Sequence, residues 1–153
     1  MDMEKHQHSI EYHQITDQIY LGTNYCCAMG FDEILLKEGI IADISLESEK
    51  IDQPWGVKYF LWLPTIDHTA PTLDALAMGS QMIAFLVQRD MKVYVHCKNG
   101  HGRAPTLVVA YLMTQGMKMD KAIKLVAKKR PEIHIEPAQK AKLKEFAKQV
   151  SWD

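Results

Sequence analysis

Cysteine is scarce. The 153 residues hold three, Cys26, Cys27 and Cys97, an odd number that cannot pair off within one chain. Residues 1–8 are polar and lack the apolar run of a signal peptide. The two observations exclude a disulfide-stapled secreted scaffold and lead us to expect a reducing, cytoplasmic compartment. Long hydrophobic runs are missing as well: the longest, residues 107–113, is far below the ~20 residues that cross a bilayer, so no transmembrane helix is expected. Ser151, Trp152 and Asp153 at the end offer no prenylation cysteine, which argues against a lipid anchor. Repeats, low-complexity tracts and Gly/Ser linkers are also absent. One domain over residues 1–153 is therefore expected, with residues 1–14 as a loosely ordered lead-in.

A chain of this size buries roughly 70% of the surface that its unfolded form exposes, so 47% hydrophobic residues suffice for a core without a staple. The net charge of -1 conceals an asymmetry. Residues 1–90 carry 5 Lys/Arg against 14 Asp/Glu, whereas residues 91–153 carry 13 against 5. The later part is where an anionic ligand is to be sought, although solvated helix faces produce the same imbalance.

Short β-rich runs at residues 19–21, 40–44, 57–61 and 92–96 alternate with helical patterns, which predicts an α/β domain with a mostly parallel central sheet flanked by helices in three layers. After Pro71, Leu73, Leu76, Ala77, Ser80, Ile83, Ala84 and Val87 fall on one helical face, and Asp74 suits its first turn. Residues 104–115 are apolar almost all round and stop at Gly116, as a buried central helix would. Helices over residues 120–130, stopped by Pro131, and 137–150, opened by Pro137, complete the order.

Between the last predicted strand and the central helix lies Cys97-Lys98-Asn99-Gly100-His101-Gly102-Arg103. Two glycines let so short a loop curl with successive N–H groups inward, making an anion nest at a helix N-terminus. Cys97 beside that positive end and a guanidinium is in a setting that favours the nucleophilic thiolate. Arg103 offers a planar fork for two phosphate oxygens, which lysine does not.

The run His96-Cys97-x-x-Gly100-x-x-Arg103 resembles the signature of the cysteine-based protein tyrosine phosphatase superfamily. Residues 15–22, Leu63-Pro64-Thr65-Ile66-Asp67 and Arg130-Pro131 resemble its small dual-specificity branch. The resemblance implies metal-independent hydrolysis of phosphotyrosine and phosphoserine/threonine proteins through a cysteinyl-phosphate, with Cys97 as nucleophile, Arg103 as clamp and the loop from Lys98 to Arg103 as phosphate cradle. It also implies an aspartate on a loop some thirty residues upstream as general acid and then base, which Asp67 matches; His68 is a weaker substitute. By the same resemblance His96 orients the loop and supports the thiolate. A monomer without cofactor is expected, with no nucleic-acid partner.

One position departs from the pattern: Ala104 stands where the family has a serine or threonine whose hydroxyl helps the cysteine leave. Loss of one such donor costs about 2–4 kcal/mol of barrier, so the phosphoenzyme is expected to accumulate, with Thr106 too far along to substitute. Arg103-Ala104-Pro105 is similar to the loop of the phosphatase of regenerating liver family, which turns over slowly and binds partners, so a binding module is the alternative. Lys98 and His101 match basic positions of phosphoinositide and phosphatidylglycerophosphate phosphatases, which keeps lipid phosphates open as substrates.

Other signals are weaker. Cys26 or Cys27 is a candidate disulfide partner that protects Cys97 from oxidation, as in some relatives of the superfamily; otherwise both are packed core thiols. His6, His8 and His13 lie in a polar lead-in without patterned carboxylates, as expected of a frayed tail rather than a metal site. Gly100-x-Gly102 lacks the third glycine of a dinucleotide fingerprint. The lysines of the last two helices have no interleaved aromatics to stack on bases.

Overall fold

The computed structural model describes residues 10–27 and 30–150. Five strands form one sheet: β1 (Tyr12–Gln14), β2 (Ile19–Gly22), β3 (Ile40–Glu47), β4 (Tyr59–Thr65) and β5 (Lys92–His96). Their order is β1-β2-β5-β3-β4, with β1 antiparallel to β2 and every other neighbour parallel. The helices are α1 (Glu33–Lys37), α2 (Leu73–Gln88), α3 (Arg103–Thr114), α4 (Met119–Lys129) and α5 (Pro137–Gln149), and a 3-10 turn spans Asn24–Cys27. The expected α/β architecture is thus the observed one.

Alternation along the strands divides the interior into two. Ile19, Leu21, Ile44, Leu46, Val93 and Val95 face the larger core beneath α2, α3, α4 and α5. Tyr20, Ile40 and Tyr94 point the other way, into a smaller cluster closed by Cys26, Cys27, Phe31 and Leu35. Helix α3 is buried from Arg103 to Met113, so its N-terminus lies inside the fold, and only its last residue, Thr114, comes toward the surface. Gly79 of α2 makes that crossing close: a Cβ there would stand 2.6 Å from Leu107 Cδ1.

Four elements differ from the sequence-based expectation. Residues 12–14, placed in the loose lead-in, form β1, and His13 is one of its three residues. Strand β4 begins at Tyr59, two residues later than predicted, because the chain turns at Gly56, whose φ is +112°. Strand β3 continues past Ile44 through Ser45 and Glu47, and Asp43, Ser45 and Glu47 are buried although polar. Helix α1 was not predicted at all; Asp32 caps it by accepting the Ile34 N–H at 2.8 Å. His6, His8 and residues 151–153 lie outside the described residues.

Candidate active site

The central strand β5 delivers Cys97 at its C-terminal end and α3 begins at Arg103, so residues 97–102 form the link between them. Every carbonyl from Lys98 to Gly102 is tied from outside. Lys98 O accepts the Asn24 N–H (3.1 Å), Asn99 O and Gly100 O accept Arg130 Nη2 (2.9 Å) and Nε (3.0 Å), and His101 O accepts the His134 N–H (2.6 Å). Gly102 O accepts both the Thr106 N–H (2.9 Å) and its hydroxyl (2.7 Å). In a planar trans peptide the N–H points opposite to the C=O, so turning five carbonyls outward turns the amides inward. That is the cradle anticipated from the glycines. Gly100 has φ +70°, and a Cβ on it would meet the Gly22 carbonyl oxygen at 2.5 Å, so no other residue fits there.

Arg103 is 2% exposed. Its Nη1 donates to Glu49 Oε1 (2.7 Å) and to Thr65 O (2.8 Å), and its Nη2 donates to Glu49 Oε2 (3.1 Å) and lies 3.5 Å from Asp67 Oδ1. The buried Nε has no hydrogen-bond partner among the described residues. A buried guanidinium N–H of this kind suits an anionic acceptor. The hydrogen bonds from Arg103 hold the Glu49 carboxyl at about 2, well under its ordinary 4.5.

Cys97 is a free thiol, 3% exposed, on the floor of a cavity of about 390 Å³. Asp67, His68, His101, Arg103 and Glu136 stand in its wall. Asp67 is half-exposed and accepts the His68 N–H at 2.9 Å, while His68 Nδ1 approaches Glu136 Oε2 at 3.1 Å. Of the loop residues expected to bind phosphate, Asn99, His101, Gly102 and Arg103 line the cavity, whereas Gly100 and Lys98 do not; the Lys98 side chain is exposed and only its backbone belongs to the loop. A larger cavity, about 560 Å³, opens at the far end of α3 among Met113, Met117, Lys118 and Lys144, away from every predicted site residue.

His96 reaches the loop through its backbone. Its Nδ1 lies 3.1 Å from the Cys97 carbonyl, which suits the loop-orienting half of the part the resemblance implied, while the contact is with the backbone rather than the sulfur. Its Nε2 faces Asp52 Oδ2 at 2.7 Å and Asp43 Oδ1 at 3.2 Å. One proton cannot serve both; it goes to the nearer Asp52, and Asp43 Oδ1 is left without a hydrogen bond among the described residues. Burial alone would push the His96 pKa down, but the two carboxylates outweigh it and hold it well above its ordinary value. Burial pushes the Asp43 carboxyl up.

Ala104 is fully buried, and the Thr106 hydroxyl is engaged by Gly102 O, so neither supplies the missing hydroxyl. Cys26 and Cys27 are joined to each other and leave Cys97 unpaired, which corrects both earlier readings of the pair. His13 is not tail: its Nδ1 accepts from Arg130 Nη1 at 2.7 Å, in the same network that ties the loop. Sequence reasoning missed Glu49 and His134, which carry no local signal, and Glu136 and Gln139, whose only local signal is the capping box they form around Pro137, and it used Arg130 only as a marker. Gln139 donates to Thr69 O at 3.1 Å and tethers the Asp67 loop to α5.

Residues 19–149 match the family described as dual specificity phosphatase, catalytic domain. The chain is 34% identical over 152 residues to phosphatidylglycerophosphatase and protein-tyrosine phosphatase 1 of Homo sapiens, covering 92% of this chain and 75% of that protein. The crystal structure of PTPMT1 in complex with PI(5)P is similar at TM-score 0.77 and 31% identity, over 91% of this chain and 96% of the other. Human DUSP28 shares the fold at TM-score 0.81 and 20% identity, over 91% and 94%.

Proposed function

The chain belongs to the dual specificity phosphatase catalytic-domain family, and from that premise we propose that it hydrolyses phosphomonoesters through a cysteinyl-phosphate, with a phospholipid headgroup as its substrate. The observation that carries the proposal is the outward-tied loop with the unpartnered Arg103 Nε beside Cys97. Five inward amides and one free guanidinium edge suit the non-bridging oxygens of a phosphoryl group and bind them more strongly as charge builds up in the transition state.

In the first step Cys97 Sγ forms a bond to phosphorus as the ester P–O bond breaks, and Asp67 gives its proton to the leaving oxygen. In the second step water attacks phosphorus, the Asp67 carboxylate takes its proton, and the S–P electron pair returns to Cys97. Glu49 and Thr65 O fix the Arg103 fork, so its orientation costs little on binding. The phospholipid reading rests on likeness to the phosphatidylglycerophosphatases over most of the chain and on His101 and His68 in the cavity wall, whose ring nitrogens offer hydrogen bonds to a multiply anionic headgroup. Phosphoproteins remain the second reading, favoured by the family description itself.

Rapid mixing with p-nitrophenyl phosphate tests the chemistry. A burst of about one nitrophenolate per chain followed by a slow phase is expected, and Cys97→Ser abolishes both. Ala104→Ser speeds the slow phase if the absent hydroxyl limits thiolate departure; an unchanged slow phase removes that claim. Comparison of kcat/KM on vesicles bearing phosphatidylglycerophosphate with kcat/KM on phosphotyrosine and phosphothreonine peptides then decides the substrate. A higher value on peptides overturns the lipid reading and leaves the chemistry intact.

A further inference from the structure

On the face of the sheet away from the main core, five potential metal ligands meet with no access to solvent. One donor atom from each of Cys26, Cys27, Asp43, Asp52 and His96 lies within 4.8 Å of all the others. Three elements converge: the 3-10 turn brings the cysteines, β3 brings Asp43 and β5 brings His96, while Asp52 comes from the loop before β4. We propose that the reduced Cys26–Cys27 pair, His96 and Asp43 form a buried site for a thiophilic divalent cation, zinc by its donor set, with Asp52 as the neighbouring carboxylate.

The polar atoms are poorly satisfied without a cation. Asp43 Oδ1 and Asp52 Oδ1 are buried with no hydrogen-bond partner among the described residues. Cys27 Sγ lies 3.2 Å from Asp43 Oδ2 and 3.9 Å from His96 Nε2. As a disulfide that sulfur has no proton to offer the carboxylate, so two electron-rich atoms face each other across a contact that a cation would bridge. The observed separations bracket the edges of a tetrahedron about zinc, which are about 3.3–3.8 Å for bonds of about 2.0–2.3 Å.

The imidazole gives the independent argument. A carbonyl only accepts, so the hydrogen bond to Cys97 O commits the proton to Nδ1. Nε2, facing both carboxylates, is then satisfied either by a proton shared with one of them, as with Asp52 at 2.7 Å, or by a metal. A histidine that donates one ring N–H to a backbone carbonyl and turns the other nitrogen to thiolates and a carboxylate has the usual arrangement of a zinc ligand. Two thiolates, an imidazole and a carboxylate are a donor set that zinc prefers to magnesium or calcium. The site takes no part in the hydrolytic steps. It fixes the ring that holds the Cys97 backbone, and it stands whether or not the proposed substrate is right.

Loading requires the sulfur pair as thiols. A trialkylphosphine supplies the two electrons: it breaks the S–S bond, takes oxygen from water to become the phosphine oxide, and leaves two S–H groups whose protons the cation displaces. The full chain, reduced in this way, is titrated with cobalt and with zinc. The expected result is about one cation per chain, thiolate-to-cobalt charge-transfer absorption in the near ultraviolet, and an unfolding temperature that rises with zinc concentration. Cys97→Ser retains all three, and oxidised wild type, whose fold is unaltered, shows none. The Cys26→Ser/Cys27→Ser variant loses the charge-transfer band. Reduced wild type without that band overturns the proposal. So does a band that Cys97→Ser removes, which puts the metal on the nucleophile, or equal uptake by oxidised and reduced protein, which puts it on the histidines outside the cluster.

Discussion

The carboxyl of Asp67 stands 3.5 Å from Arg103 Nη2 and accepts the N–H of His68, whose φ of +67° lies in the left-handed region. Histidine tolerates that region better than most side chains, and the ring's approach to Glu136 helps to hold it there. In the proposed mechanism the carboxyl protonates the leaving oxygen, which matters in proportion to how badly that oxygen needs a proton. Asp67→Asn is therefore expected to lower kcat on an alkyl phosphate by about 10²–10⁴-fold and far less on p-nitrophenyl phosphate. Equal losses on the two substrates would take Asp67 out of the acid role. Residue identity made Cys97, Arg103 and Asp67 legible in sequence, because the signature spacing states which chemistry each can do. The same reading left the Lys98 side chain between substrate and water, and the structure exposes it; it put His96 at the loop but gave no sign of Asp52 and Asp43, which reach its Nε2 from far away in sequence.

At the scale of elements, the phosphate loop is held by Arg130, at the end of α4, more than by its own sequence. Its three nitrogens bond Gly100 O, Asn99 O and His13 Nδ1. Replacing it by an apolar side chain leaves two buried carbonyls unsatisfied, each costing about 1–3 kcal/mol. Arg130→Met is expected to lower the unfolding temperature and, in addition, to weaken vanadate binding more than an equally destabilising core change such as Leu143→Ala. Equal vanadate affinity in the two variants would reduce Arg130 to a stability residue. The main helices were legible because they advertise themselves: Thr72 caps α2, Pro137 opens α5 and apolar periodicity runs between. Strand β1 was not, since three residues paired at a sheet edge make no periodic signal. Nor was α1, a helix of five residues.

For the whole molecule, Glu49 and Arg103 tie the segment after β3 to the central helix, so their pairing is part of global stability. Arg103 holds the Glu49 carboxyl at about 2 against an ordinary 4.5. Because the folded value is the lower one, the stabilisation is fully present above 4.5 and is lost as pH falls toward about 2. Glu49→Gln is thus expected to be less stable than wild type at neutral pH, with the gap closing over that acid window. Urea unfolding across the range measures it. A gap that stays constant down to about 2 would mean that the carboxylate charge contributes nothing to stability.

The sequence alone pointed to Cys97, Arg103 and Asp67 as candidates and set the α/β order of elements, because each shows as residue type at a characteristic spacing: a signature loop, caps, and periods of two and 3.6. Tertiary structure decided what surrounds them. That Glu49 and Thr65 orient Arg103, that Arg130 and His13 turn the loop carbonyls outward, and that Cys26 and Cys27 gather with Asp43, Asp52 and His96 beneath it are facts of chain crossing. These partners are separated by tens of residues in sequence. Burial made their polar atoms pair, and pairing across elements leaves no mark in a local pattern.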